Sequence, residues 1–238
     1  MRKWFSDVTL TLRESLKPEK DELVPPMKLR HIIGLDNFKV DRAEMLAKNL
    51  DLRNVNSILD VGCGCGSLSY SLIRYHNFQG KYEGFDIIKD FIDWLQQHYT
   101  TKYPNFHFTF APLSNNNYVR GGESAGAYTF PYPNGMFDAV FLGSVFTHML
   151  PADLEHYLSE IVRVMKSHGT SFISYFFESG RRKDFIRVGQ YSTRNPKCPE
   201  EAIAYDENFI LRLYENVGLR ATRPVIYGAQ DWIIAEKV

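Results

Sequence analysis

Ser57-Ile58-Leu59-Asp60-Val61-Gly62-Cys63-Gly64-Cys65-Gly66-Ser67-Leu68-Ser69 reads as a short apolar strand, a glycine-rich turn and the start of a helix. Asp60 and the three alternating glycines give acid-x-Gly-x-Gly-x-Gly. A turn that bends sharply and lets a ligand touch its backbone needs glycine, because a Cβ would block both. The N–H groups at the following helix start favour a polar or anionic ligand. The spacing departs from the Gly-x-Gly-x-x-Gly of dinucleotide folds, whose third glycine would fall on Ser67.

Around this turn, 238 residues are enough for one α/β domain with an N-terminal extension. Lys+Arg and Asp+Glu both number 28, so no global basic field points to nucleic acid. No run of about 18 apolar residues suggests a membrane span. The first residues, Met1 to Asp7, turn acidic and polar before any apolar core of a signal peptide. Three cysteines cannot all pair, and Cys63 and Cys65 are too close for an easy disulfide. They suit a reducing compartment, and the cytoplasm is the expectation. A metal at Cys63-x-Cys65 would need further ligands nearby, and the sequence offers none.

Residues 1–55 form an expected helical extension or cap, and residues 56–238 the domain proper. Within the extension, Val8 to Leu16 is weakly amphipathic, and Val40 to Leu50 places Ala43, Leu46 and Ala47 on one helical face. The stretch Leu29 to Leu35 reads as a packed cap, or alternatively as a lid with His31 facing a pocket. Beyond it, strand and helix signals alternate, as in a parallel sheet covered on both faces. Strands are expected at 57–61, 82–85, 106–110, 137–142 and 171–176, with two more at about 221–227 and 232–235. Helices are expected at 67–75, 89–99, 152–166 (closed by Gly169) and after Asp206, which acts as its cap. The stretch 113–136 is polar, broken and rich in aromatics, without a helical stripe.

Four further features join the glycine turn. Asp86 ends the second strand; Phe137-Asp138-Ala139-Val140 leads into Leu142-Gly143-Ser144. Glu160 to Lys166 is followed by Gly169, and Gly218-Leu219-Arg220 leads to Asp231-Trp232-Ile233-Ile234-Ala235. In this order they resemble the class I S-adenosylmethionine-dependent methyltransferases over roughly residues 40–238. The resemblance implies a Rossmann-like three-layer α/β sandwich with a seven-stranded, mostly parallel sheet whose last strand is antiparallel. It implies S-adenosylmethionine as cofactor, held by Asp60, Gly62, Cys63, Gly64, Gly66, Asp86, Ile87, Leu113 and Ser144. Asp86 can accept hydrogen bonds from both ribose hydroxyls. The family often has an acid after strand three that meets the adenine amine. Here Pro112 stands at that place, leaving the Leu113 amide and the Ser114 or Asn115 side chains.

Methyl transfer is an in-line displacement in which the protein aligns the reacting atoms, and a hydroxyl acceptor needs a base. His148, just past strand four, is placed where open α/β sheets bind ligands and is the catalytic candidate. The bland alternative is a histidine that bonds locally. His98, His156 and His168 read as solvated, and His107 as structural. The basic excursion 178–204 reads either as a solvated charge run or as a lid for an acidic substrate. The expected activity is methyl transfer to a small molecule or glycan, at oxygen in preference to nitrogen. A non-catalytic cofactor-binding module and an NAD-dependent oxidoreductase are the competing expectations. No metal, nucleic acid or membrane partner is expected.

Overall fold

The computed structural model describes residues 21–31, 37–116, 118–119, 121–178, 182–222 and 224–238. The helix expected at Val8 to Leu16 and most of the apolar stretch after His31 lie outside them. Short helices α1 (Met27–Arg30) and α2 (Glu44–Asn49) precede β1 (Ser57–Val61). Then follow α3 (Ser67–Arg74), β2 (Lys81–Asp86), α4 (Lys89–Leu95), β3 (Phe106–Phe110), β4 (Phe137–Leu142), α5 (Pro151–Val164) and β5 (Met165–Tyr175). Three short strands come next, β6 (Ile186–Val188), β7 (Tyr191–Thr193) and β8 (Ile203–Tyr205). The chain closes with α6 (Glu207–Asn216), β9 (Leu219–Ala221), β10 (Val225–Tyr227) and β11 (Gln230–Lys237).

The main sheet runs β10-β11-β5-β4-β1-β2-β3, with β9 paired to the far part of β11. The links from β5 through β4, β1 and β2 to β3 are parallel, and β11 is antiparallel to β5, β10 and β9. Period-two alternation sends Leu59 and Val61 of β1 to one face and Ile58 to the other. The first face packs on α5 and α6 through Leu158, Ile161, Ile210 and Leu213. The second packs on α2, α3 and α4 through Leu46, Leu68, Leu72, Phe91 and Leu95. The result is the three-layer sandwich the sequence predicts.

The extension is fastened to the second face by buried polar links. Asp21 accepts from Arg74 at 2.7 and 2.8 Å, the Tyr99 hydroxyl donates to the Leu23 carbonyl at 2.7 Å, and His76 meets Asp41 at 2.8 Å. The Tyr227 hydroxyl donates to Glu44 at 2.6 Å, tying α2 to β10.

Three expectations need correction. Gly169 does not close a helix: α5 ends at Val164, and Gly169 lies within β5. A Cβ there would come within 3.2 Å of the Phe137 carbonyl oxygen, so glycine serves strand proximity. The strand expected at 221–227 is split, β9 and β10 meeting different parts of β11. The excursion 178–204 holds strands that the sequence reading did not include, β6 and β7 forming an antiparallel sheet with β8. Its helix boundary is as expected, with Asp206 accepting from the Phe209 N–H at 2.9 Å.

Candidate active site

β1 and β2 end side by side, and the glycine turn is pinned across the gap between them. The N–H groups of Gly62 and Cys63 donate to the Phe85 carbonyl at 2.9 and 3.0 Å. The Gly64 N–H donates to Asp86 Oδ2 at 2.8 Å, while Asp86 Oδ1 accepts from the Ile88 N–H at 2.9 Å. Asp86 is thereby fixed at the carboxyl end of β2, as the sequence predicts. Burial raises its pKa, opposed by these backbone hydrogen bonds.

The glycines divide by what surrounds them. A Cβ on Gly62 would fall 2.4 Å from Val145 Cγ2, and one on Gly66 would fall 2.5 Å from Leu95 Cδ2. Those two serve packing. A Cβ on Gly64 would meet nothing within 4 Å, although the residue's φ of +55° makes it part of the same left-handed turn. The turn is therefore open at Gly64, where backbone lies bare beside an acid. α3 begins after Gly66 without a side-chain cap, so its first-turn N–H groups add donors at the same end.

Asp60 is buried beneath the turn and accepts from the Tyr82 hydroxyl at 2.6 Å. Burial pushes its carboxyl up to about 7, with the neighbouring Asp86 charge adding to the rise and the Tyr82 hydrogen bond and Arg42 opposing it. Cys63 and Cys65 are free and buried in the second-face core, and burial raises both thiols, Cys65 to about 12. The Cys63 thiol lies 3.8 Å from the Gly64 carbonyl within the turn, and its backbone N–H is held by Phe85. Among the described residues no group of three or more His, Cys, Asp or Glu side chains could hold a metal ion.

Arg42 was not legible as a site residue. It precedes α2 and lies within electrostatic reach of Asp60 and Tyr227. Burial lowers its pKa, and among the described residues its guanidinium has no hydrogen-bond or ion-pair partner. A half-buried guanidinium beside the turn is suited to a carboxylate or phosphate ligand.

At the end of β3 the structure is less open. The Leu113 N–H donates to the Ala111 carbonyl at 2.8 Å, and its side chain is buried in the first-face core. Ser114 donates through its N–H to Glu123, and Asn115 donates through Nδ2 to the His148 carbonyl at 3.0 Å. The three candidates for the missing acid are engaged in shaping the loop. Ile87 packs, half-buried, against the same core.

Ser144 follows β4 with φ +64°, a left-handed conformation rare outside glycine. Its N–H donates to Ser174 Oγ at 2.7 Å, and its hydroxyl faces the Gln230 carboxamide, with Nε2 at 2.9 Å. The adjacent Val145 is the side chain that abuts Gly62, so the end of β4 and the glycine turn are in contact.

His148 lies in the turn Phe146–His148, and its Nδ1 is 2.8 Å from the Glu200 carbonyl. A carbonyl only accepts, so Nδ1 carries the proton and Nε2 keeps its lone pair. Nε2 is 3.4 Å from the Tyr118 hydroxyl. Burial lowers the ring's pKa from its usual 6.5, favouring the neutral base. His148 therefore joins the loop after β3 to the excursion before β8. Among the described residues no hydrogen bond links it to the glycine turn. His31 is exposed in the turn after α1. His98 bonds to the Trp94 carbonyl and His156 to the Tyr128 carbonyl, so those two are less solvated than expected.

Residues 59–173 match the family model of a methyltransferase domain. A 95-residue stretch is 34% identical to the mitochondrial ubiquinone biosynthesis O-methyltransferase of Saccharomyces cerevisiae, covering 38% of this chain and 30% of that protein. Among solved structures, a SAM-dependent methyltransferase from Aquifex aeolicus superposes with a TM-score of 0.59 at 20% identity, covering 90% of this chain and 99% of that one. Human N-acetylserotonin methyltransferase in complex with SAM gives a TM-score of 0.60 at 18% identity, covering 88% of this chain and 55% of that one. At these identities the structures speak for the fold. No helix among the described residues is long and apolar enough to cross a membrane.

Proposed function

We propose that this chain, which belongs to the class I S-adenosylmethionine-dependent methyltransferases, transfers a methyl group from that cofactor to an oxygen of a small molecule or glycan. The observation that carries the site is Gly64, the one glycine of the turn whose Cβ would enter open space beside a buried carboxylate.

The residues present fit the cofactor. Asp86 holds a ribose diol by accepting from its hydroxyls, each carboxylate oxygen having a lone pair beyond its backbone hydrogen bond. The bare backbone of Gly64 lets the ligand lie against the turn. Arg42 is suited to the amino-acid carboxylate. When bound, the cofactor supplies an electrophilic methyl group on a sulfonium centre.

His148 Nε2 would take the acceptor's hydroxyl proton, the neutral ring becoming an imidazolium. The Glu200 carbonyl keeps Nδ1 protonated and the ring turned for this task. The names of the relatives, an O-methyltransferase from yeast among them, agree with a small-molecule acceptor. Buried, free cysteines favour a reducing compartment, and the cytoplasm is proposed.

The test is transfer of labelled methyl from S-adenosylmethionine across a panel of phenols, sugars and amines. Label in a hydroxylated product is the result expected. Cofactor binding with no transfer to any member would favour a non-catalytic module and overturn the proposal.

A further inference from the structure

Ser144 is one of only a few non-glycine residues in the described chain with positive φ. A left-handed L-residue is strained, and such strain persists where the surroundings over-determine it. Here two groups do so. Ser174 Oγ takes the Ser144 N–H, and the Gln230 carboxamide meets the Ser144 hydroxyl with Nε2 at 2.9 Å and Oε1 at 3.2 Å. Gln230 opens β11, which runs antiparallel to β5 and so begins at the rim where the parallel strands end. Both side chains are half-buried. On the other side of Ser144, Val145 touches the glycine turn.

Three arginines of the excursion between β5 and β8 are paired with carboxylates. Arg182 lies 3.8 Å from buried Asp231 and 4.4 Å over the Phe176 ring. Arg187 pairs with Glu178, and Arg194 with Asp184 at 3.0 Å. Among the described residues of the excursion, these three arginines each lie against a carboxylate. With Arg42 assigned to the cofactor's carboxylate, Ser144 and Gln230 present a hydroxyl and a carboxamide at this rim, which donate and accept without charge.

Resting on the proposed methyl transfer, we infer that Ser144 and Gln230 form the wall of the acceptor site and that the acceptor is an uncharged polyhydroxyl or phenolic compound. Gln230 is its specificity-determining residue. A carboxylate brought to this wall loses hydration and meets no uncommitted arginine among those three, whereas a hydroxyl exchanges hydrogen bonds with the carboxamide.

The test uses the full chain with S-adenosylhomocysteine and three matched pairs: 4-hydroxybenzyl alcohol and 4-hydroxybenzoate, methyl glucoside and glucuronate, glycerol and glycerate. Binding is read by saturation-transfer NMR, with the Gln230 side-chain amide followed in labelled protein. In at least one pair the neutral member binds tenfold more tightly than the acid and shifts the Gln230 amide. In Gln230→Lys that ratio falls at least tenfold, with S-adenosylhomocysteine affinity unchanged. Failure of S-adenosylhomocysteine to bind would remove the parent proposal as well. Cofactor binding with no neutral preference, no binding by any pair, or a ratio unmoved in Gln230→Lys would overturn this inference alone.

Discussion

Replacing Asp60 by Asn removes a buried ionisable group while keeping an oxygen for the Tyr82 hydroxyl to reach. The folded carboxyl titrates near 7, against a usual 3.8. A carboxyl raised on folding stabilises the protonated native state. Its contribution is full below about pH 4 and is lost as pH climbs towards 7, because the unfolded chain ionises first. Three pH units at 1.36 kcal/mol each give a loss of about 4 kcal/mol, of which roughly two thirds falls between pH 5 and pH 8. Urea unfolding of both proteins without cofactor, at half-unit steps over that range, measures it. Subtracting the two curves cancels the titration of other groups. The stability of Asp60→Asn relative to wild type rises by about 2–3 kcal/mol from pH 5 to pH 8. A flat difference would mean that Asp60 stays ionised beneath the turn, and the electrostatic description of the site would be wrong.

Gly64→Val is expected to remove S-adenosylhomocysteine binding in calorimetry while costing about 1–2 kcal/mol of fold stability for a left-handed L-residue. Wild-type affinity in that variant would place the ligand elsewhere. Asp86→Ala is expected to weaken binding by about 1.5–3 kcal/mol and to loosen the turn, since the Gly64 N–H loses its acceptor. Asp86→Asn is expected to bind better than Asp86→Ala, and equal losses would move the ribose away from Asp86. His148→Ala is expected to lower turnover by roughly 10²–10⁴-fold at unchanged cofactor affinity. Because burial lowers the His148 pKa, the acidic limb of the wild-type rate profile falls below pH 6.5, and it disappears in the variant. A lower melting temperature with an unaltered profile would make His148 only the link between its two loops.

The strands that carry the site were legible because burial imposes a pattern. β1 and β4 are nearly continuous apolar runs buried on both faces, and β3 alternates Phe106, Phe108 and Phe110. The glycine turn and Asp86 were legible because backbone geometry demands particular residues there. β6, β7 and β8 are three residues long, too short for any period to show, and the charges around them read as solvent-facing. Gly169 misled because a glycine after a helical stripe looks like a cap, whereas its reason lies in the neighbouring β4 backbone. Arg42 and Gln230 gave no local signal. One precedes a short helix and the other opens a strand, and only the packing of α2 and β11 brings them to the rim.

Equilibrium binding of S-adenosylhomocysteine to the full chain, measured by calorimetry beside an identical titration with NADH, tests the central claim most directly. One site for S-adenosylhomocysteine and no heat of binding for NADH is the predicted result. Binding of NADH with none of S-adenosylhomocysteine would contradict it.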